Sequence, residues 1–215
     1  MDILGILKLK ENLVLIKLNL LKLKKEKVCK ERLVMNYHSI FYDDMKNGEG
    51  LRVTLFVSGC SHNCKGCHNP VTHDPNSGEL FDENALNRIR KHLDHEYIDG
   101  ITLSGGDPLY YYNREDINNL IDIIKKEFPT KTIWLYTGYS FEEIMQDSEL
   151  KEIVSKVDVV VDGKFIIDKL DANYPWAGST NQSVINVQES IKAYPEIILI
   201  KEDNVEEETN KILFK

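Results

Sequence analysis

Several features common in other protein classes are missing from this 215-residue chain. Lysines break every apolar stretch well before the roughly eighteen residues that a membrane-spanning helix needs, so no transmembrane span is expected. There are only four cysteines and no second clustered pair. That argues against a secreted disulfide framework and against a structural zinc loop built from two separated pairs. Clustered cations are also absent from most of the chain. The first 34 residues hold nine Lys or Arg against four Asp or Glu, leaving eighteen basic and thirty-one acidic residues for the remainder. With a formal net charge of −8 and an acidic body, a dominant nucleic-acid-binding role is disfavoured, because counterion release requires grouped cations. No export signal is recognisable, which places the expected location in the cytoplasm. No internal repeat and no low-complexity linker interrupt a length suited to one domain with a substantial core.

What is present is concentrated. Three of the four cysteines fall within Cys60-Ser61-His62-Asn63-Cys64-Lys65-Gly66-Cys67, spaced C-x3-C-x2-C. Thiolates this close on one loop serve a metal, an iron–sulfur cluster or a redox pair. Three thiolates can hold three irons of a four-iron cluster and leave the fourth open, whereas a ferredoxin-type site takes four cysteines. The remaining Cys29 lies outside the motif. A Cys3His zinc site using His62 or His68 is the competing reading. Spacing alone favours the cluster over zinc, and both over a plain reactive cysteine.

The chain divides by composition into residues 1–34, a Leu/Lys-rich extension, 35–200, a β/α domain, and 201–215, a charged tail. In the extension, Leu9, Leu13, Ile16, Leu20 and Leu23 fall at helical spacings, although Leu21 to Lys24 also alternate like a strand. A basic amphipathic surface helix and an extension without function are both open, with Met35 then acting as the effective start. Beyond Met35, strands are predicted at 51–57, 101–103, 132–136, 157–161, 183–187 and 197–200. Between them, Asp82 caps a helix bearing Leu86, Ile89 and Leu93, with Phe81 as its staple residue. A second helix carries Ile117, Leu120, Ile121, Ile124 and Phe128 and stops at Pro129. Ser140-Phe141-Glu142-Glu143 is a capping box, with Tyr139 and Ile144 at staple spacing, and Tyr112 sits where a staple residue would open the second helix. Strands separated by helical stretches imply right-handed crossovers and a parallel sheet. The glycine-rich and polar signatures all follow strands, so they should converge at the sheet's carboxyl edge, where ligands bind.

These stretches resemble the radical S-adenosylmethionine (SAM) enzymes, and among them the family that activates anaerobic, class III ribonucleoside-triphosphate reductases. The resemblance rests on Met35-Asn36-Tyr37-His38, Gly50 to Cys60, Gly66-Cys67-His68-Asn69, Ser104-Gly105-Gly106-Asp107-Pro108-Leu109, Thr137-Gly138-Tyr139, Val161-Asp162-Gly163-Lys164-Phe165 and Trp176 to Gln182. It spans about residues 35 to 187. It implies a [4Fe-4S] cluster on Cys60, Cys64 and Cys67, with SAM chelating the open iron. Reductive cleavage of SAM would give a 5′-deoxyadenosyl radical that takes hydrogen from a glycine of the reductase. It further implies SAM contacts from Gly66, Cys67, His68, Ser104, Gly105, Gly106, Asp107, Asp162, Lys164 and Asn181, with Gln182 also offering an amide. The implied partners are the reductase and a reducing electron donor such as a flavodoxin-like protein. The implied fold is α/β, an incomplete parallel (β/α) barrel of about five or six strands, open on one side. Read without the resemblance, Gly-Gly-Asp-Pro is also ordinary turn chemistry, His68 a loop residue, and Asp162 with Lys164 a cap or an ion pair. Two other functions fit the residues: activation of a different glycyl-radical enzyme, and a non-enzymatic zinc or iron–sulfur module.

Overall fold

The computed structural model describes residues 35–200, within the second of two units into which the chain divides, Val34–Lys215. The extension with its leucine stripe, Cys29 and the charged tail lie outside the described residues. One sheet of seven strands organises the described part: β1 Asn36–Asp44, β2 Arg52–Val57, β3 Glu79–Leu80, β4 Gly100–Gly105, β5 Thr132–Tyr136, β6 Val159–Asp162 and β7 Ser183–Asn186. Their order across the sheet is β3-β1-β2-β4-β5-β6-β7. The helices are α1 Glu83–Leu93, α2 Arg114–Glu127, α3 Phe141–Gln146, α4 Ser148–Val154 and α5 Val187–Ala193.

The expected parallel sheet is present only in its centre. β2, β4, β5 and β6 run parallel and in unbroken register, from Arg52 beside Gly100 to Tyr136 beside Val161. β1 pairs antiparallel with β2, β3 with β1, and β7 with β6. The sheet is mixed and not closed, since β3 and β7 each have one neighbour. The count of five or six strands is thus too low, and a wholly parallel sheet is corrected. The reason is connection type: β1 reaches β2 through a short turn, and the stretch from β6 to β7 contains no α-helix. Without a crossover element the chain can only return antiparallel. The predicted strand at 197–200 is reduced to a single bridge between Ile185 and Leu199, and α5 occupies residues next to it that carried no helical expectation.

Alternation assigns the two faces. Val53, Leu55 and Val57 of β2, Ile101 and Leu103 of β4, and Ile133 and Leu135 of β5 point to the helices. There they join Leu86, Ile89 and Leu93 of α1 and Ile117, Leu120, Ile121 and Ile124 of α2 in the main core. The helix ends match their local chemistry. Asp82 accepts from the Ala85 amide, and Ser140 with Glu143 completes a capping box. The alternate residues form the inner face. Arg52 is buried at its base and donates to the hydroxyls of Thr102 and Thr132 and to the carbonyls of Ile101, Thr132 and Glu49. Its guanidinium lies over Trp134, which heads a smaller cluster with Val159, Val161 and Val184. Burial lowers the Arg52 guanidinium to about 10, still charged at neutral pH.

Candidate functional site

The segments that follow the parallel strands meet at the carboxyl edge of the sheet. The cysteine loop begins where β2 ends and is clamped at its base. Gly59 N donates to Thr72 O, Cys60 N to His73 O and Asp107 N to Gly59 O, at 2.7, 3.2 and 2.8 Å. The Asn113 amide holds Ser58 O from the start of α2. Within the loop, Asn63 takes a left-handed conformation with φ of 49°, one of the few that asparagine tolerates well, and Cys67 N closes a turn onto Cys64 O. Cys60, Cys64 and Cys67 are free thiols, each half-buried.

All three cysteines line one cavity of about 840 Å³, together with His62, His68, Ser104, Gly105 and Gly106. Its far wall comes from Tyr136 at the end of β5, Thr137 and Gly138 after it, Lys164 and Phe165 after β6, and the 170–178 segment with Trp176. Tyr136 donates its hydroxyl to Trp176 O at 2.7 Å, and Trp134 meets Trp176 edge-on. These bonds join the sheet's inner face to the outer wall. His68 sits beside Phe165 with ring centroids 5.0 Å apart.

The glycines at the end of β4 are needed by the frame as well as by the cavity. Gly105 has φ of 106°, and a Cβ there would stand 2.5 Å from Val57 N and 2.6 Å from Val57 O. A Cβ on Gly106 would stand 2.5 Å from Gly59 O. Any side chain would therefore part the β4 loop from the end of β2, quite apart from any bound molecule.

The predicted polar residues separate into two groups. Cys67, His68, Ser104, Gly105, Gly106 and Lys164 line the cavity, whereas Gly66 lies outside its lining, with the Ile167 side chain beside it. Asp107, Asp162 and Asn181 also lie outside its lining. Asp107 is 1% exposed. Its carboxylate accepts from Leu109 N at 2.7 Å, Thr137 Oγ1 at 3.0 Å, Gly138 N at 3.1 Å and His62 Nε2 at 2.6 Å. Those donors use its lone-pair capacity within the protein. Asp162 faces the helices, because Val161 takes the inner face and parity sends the next residue outward. It accepts from Phe141 N at the start of α3 and from Ser183 N at the start of β7. Burial pushes its carboxyl above the ordinary range, against the opposing pull of those two amides. Asn181 donates to Lys164 O, and Gln182 receives Gly178 N and donates to Gly163 O. The Gly178–Gln182 amides thus brace the loop after β6, with Gln182 also reaching the cavity wall.

Sequence reasoning missed the part played by His62, weighed there only as a zinc ligand, and that of Thr137 and Gly138. Their common partner, Asp107, was the available signal. The staple expected at Tyr112 is not formed: Tyr111 and Tyr112 are exposed, and Tyr110 packs against Gly59.

The donor set suits a cluster. Among the described residues, no three His, Cys, Asp or Glu side chains are arranged to hold a single metal ion, whereas a four-iron cluster spreads its thiolates over separate irons. Burial pushes the Cys60 thiol up to about 11, which makes it a poor free nucleophile. Three thiols on the wall of a cavity beside glycine-rich backbone define an iron–sulfur site with room for a second molecule. Residues 46–185 match the family described as 4Fe-4S single cluster domain. The chain is 47% identical over 152 residues to the anaerobic ribonucleoside-triphosphate reductase-activating protein of Enterobacteria phage T4, an alignment covering 69% of this chain and 92% of the relative. It is 44% identical to the protein of that name from Escherichia coli (strain K12) and 42% to that of Haemophilus influenzae, covering 70% of this chain and 97% of each relative. The chain belongs to the family of anaerobic ribonucleoside-triphosphate reductase-activating proteins.

Proposed function

We propose that this chain activates an anaerobic ribonucleoside-triphosphate reductase, acting as a radical SAM enzyme on that protein substrate. The observation that carries the reading is the meeting of Cys60, Cys64 and Cys67 with Ser104, Gly105 and Gly106 around one cavity, in a chain of this family. A [4Fe-4S] cluster held by Cys60, Cys64 and Cys67 would supply the one electron for reductive cleavage of SAM, the radical chemistry by which a hydrogen atom would be taken from a glycine of the reductase.

The chain's own residues supply binding, orientation and exclusion of water. Cys60, Cys64 and Cys67 hold the cluster. His68, Ser104, Gly105, Gly106 and Lys164 contact SAM, the glycines through backbone that a side chain would block. Asp107, Asp162 and Asn181 support those contacts by fixing the loops that bear them. Trp176 and Phe165 cover the cavity's outer side and limit access by solvent. Within this reading the parallel centre of the sheet is the core of an incomplete radical SAM-type barrel over residues 35–200, whose open side admits a loop of the reductase. A cytoplasmic setting and a flavodoxin-like electron donor accord with an air-sensitive cluster.

The test is anaerobic reconstitution followed by reduction with SAM, with and without the reductase. The expected result is about four irons and four sulfides per chain, release of 5′-deoxyadenosine, and a glycyl-radical EPR signal only when the reductase is present. One equivalent of zinc without sulfide would end the enzyme reading. SAM cleavage with a glycyl radical on another enzyme, and none on the reductase, would redirect it.

A further inference from the structure

We propose that His62 and Asp107 form a latch that holds the cysteine loop in register with the SAM-binding loops, making both positioning residues. The proposal rests on the radical SAM reading of the cavity and adds to it the device that aligns its two halves.

His62 lies inside the C-x3-C interval yet turns away from a ligand's role. Its side chain is 8% exposed, and Nε2 donates to Asp107 Oδ2 at 2.6 Å. The ring stands edge-on to Tyr139, with centroids 4.8 Å apart and an 80° interplanar angle. Gly138 makes room for it, since a Cβ there would sit 2.3 Å from His62 Cδ2. Asp107 in turn accepts from Thr137 Oγ1 and Gly138 N, after β5, and from Leu109 N in its own loop. One carboxylate thus joins the segments following β2, β4 and β5. A simple turn cap would account for the Leu109 bond alone. It would explain neither the histidine between two cysteines nor the bare face of Gly138 against its ring. The arrangement also depends on side-chain length. A glutamate at 107 would carry its carboxylate one methylene further, into space already filled by His62 and Gly138.

The first experiment needs no cluster. In reduced, metal-free protein, alkylation of each thiol by iodoacetamide is followed by mass spectrometry for wild type, His62→Ala, Asp107→Ala, the double variant and His62→Gln. Loss of a buried, charge-assisted hydrogen bond should speed alkylation of Cys60 and Cys64 by about tenfold in either alanine variant. The double variant should be no faster than the singles, and His62→Gln, which keeps a donor at similar reach, should stay close to wild type. The second experiment titrates SAM into reconstituted, reduced protein and reads the change in the cluster's EPR spectrum. His62→Ala should carry its full iron and sulfide but need about tenfold more SAM, and His62→Gln should recover most of the difference. Additive alkylation effects, an unshifted SAM titration in His62→Ala, or equal impairment in His62→Gln would each overturn the latch. If Asp107→Ala does not fold, the two His62 variants decide by themselves. A wild-type protein that binds no SAM would defeat the proposed function and leave the alkylation result to judge the latch separately.

Discussion

Asp107 lies just beyond β4 and Asp162 ends β6; both are buried, yet they work on opposite sides of the sheet. Asp107 faces the loops around the cavity, and Asp162 faces the start of α3. Replacing Asp162 with alanine strands the Phe141 and Ser183 amides and should cost about 1–3 kcal/mol, measured by denaturant unfolding. The sign of the pH dependence follows from burial. The folded carboxyl is raised above its unfolded value, so its contribution is fully present below the unfolded pKa and is lost as pH rises through the folded one. The stability gap between wild type and Asp162→Ala should therefore narrow from acid toward neutral pH; a gap that widens would show that the amide bonds outweigh desolvation. At the thiols the expectation is simpler. Cys64→Ala should lose both the cluster and SAM cleavage, checked by iron and sulfide analysis beside 5′-deoxyadenosine release. Full cleavage by that variant would remove Cys64 from the ligand set.

At the scale of elements, the loops depend on glycine where strands and loops nearly touch. Gly105→Ala forces a Cβ against Val57 backbone at a φ favourable only to glycine. It should destabilise the whole domain by about 2–4 kcal/mol, seen as a lowered denaturation midpoint. Gly138→Ala meets the His62 ring, a side chain that can move, so its effect should fall on SAM affinity before stability. The helices are joined more loosely. Arg90 near the end of α1 makes a two-pronged pair with Glu127 at the end of α2, at 2.7 and 2.8 Å. The bond from Arg90 holds the Glu127 carboxyl below its usual range, so this contribution exists above the unfolded pKa and fades as pH falls through the folded one. Because Glu127 is exposed, Glu127→Ala should cost under about 1 kcal/mol, and less in high salt.

For the molecule as a whole, the main core and the cavity both lie within residues 35–200. A chain beginning at Met35 should therefore fold, bind its cluster and cleave SAM at a rate comparable to the full chain, compared under identical anaerobic conditions. Loss of folding would assign residues 1–34 a structural part. No helix among the described residues is long and apolar enough to cross a membrane; the lysine-broken apolar runs of residues 1–34 lie outside the described residues.

By itself, the sequence determined what is local or periodic. Alternation located the central strands, Asp82 and Ser140 opened their helices, and the cysteine spacing favoured a cluster over zinc, because these signals act within a few residues. Tertiary structure alone decided what depends on residues distant in sequence. The antiparallel edges follow from how β1 and β7 return to the sheet, which no residue pattern encodes. Asp162 was expected at the sheet's mouth and turns to the helices because of strand parity at its neighbour Val161. Asp107 was expected at the cofactor and is filled by donors 30, 31 and 45 residues away in sequence. A carboxylate's role is set by which donors reach it, and the donors from His62, Thr137 and Gly138 meet Asp107 only when the loops of three strands close on one edge.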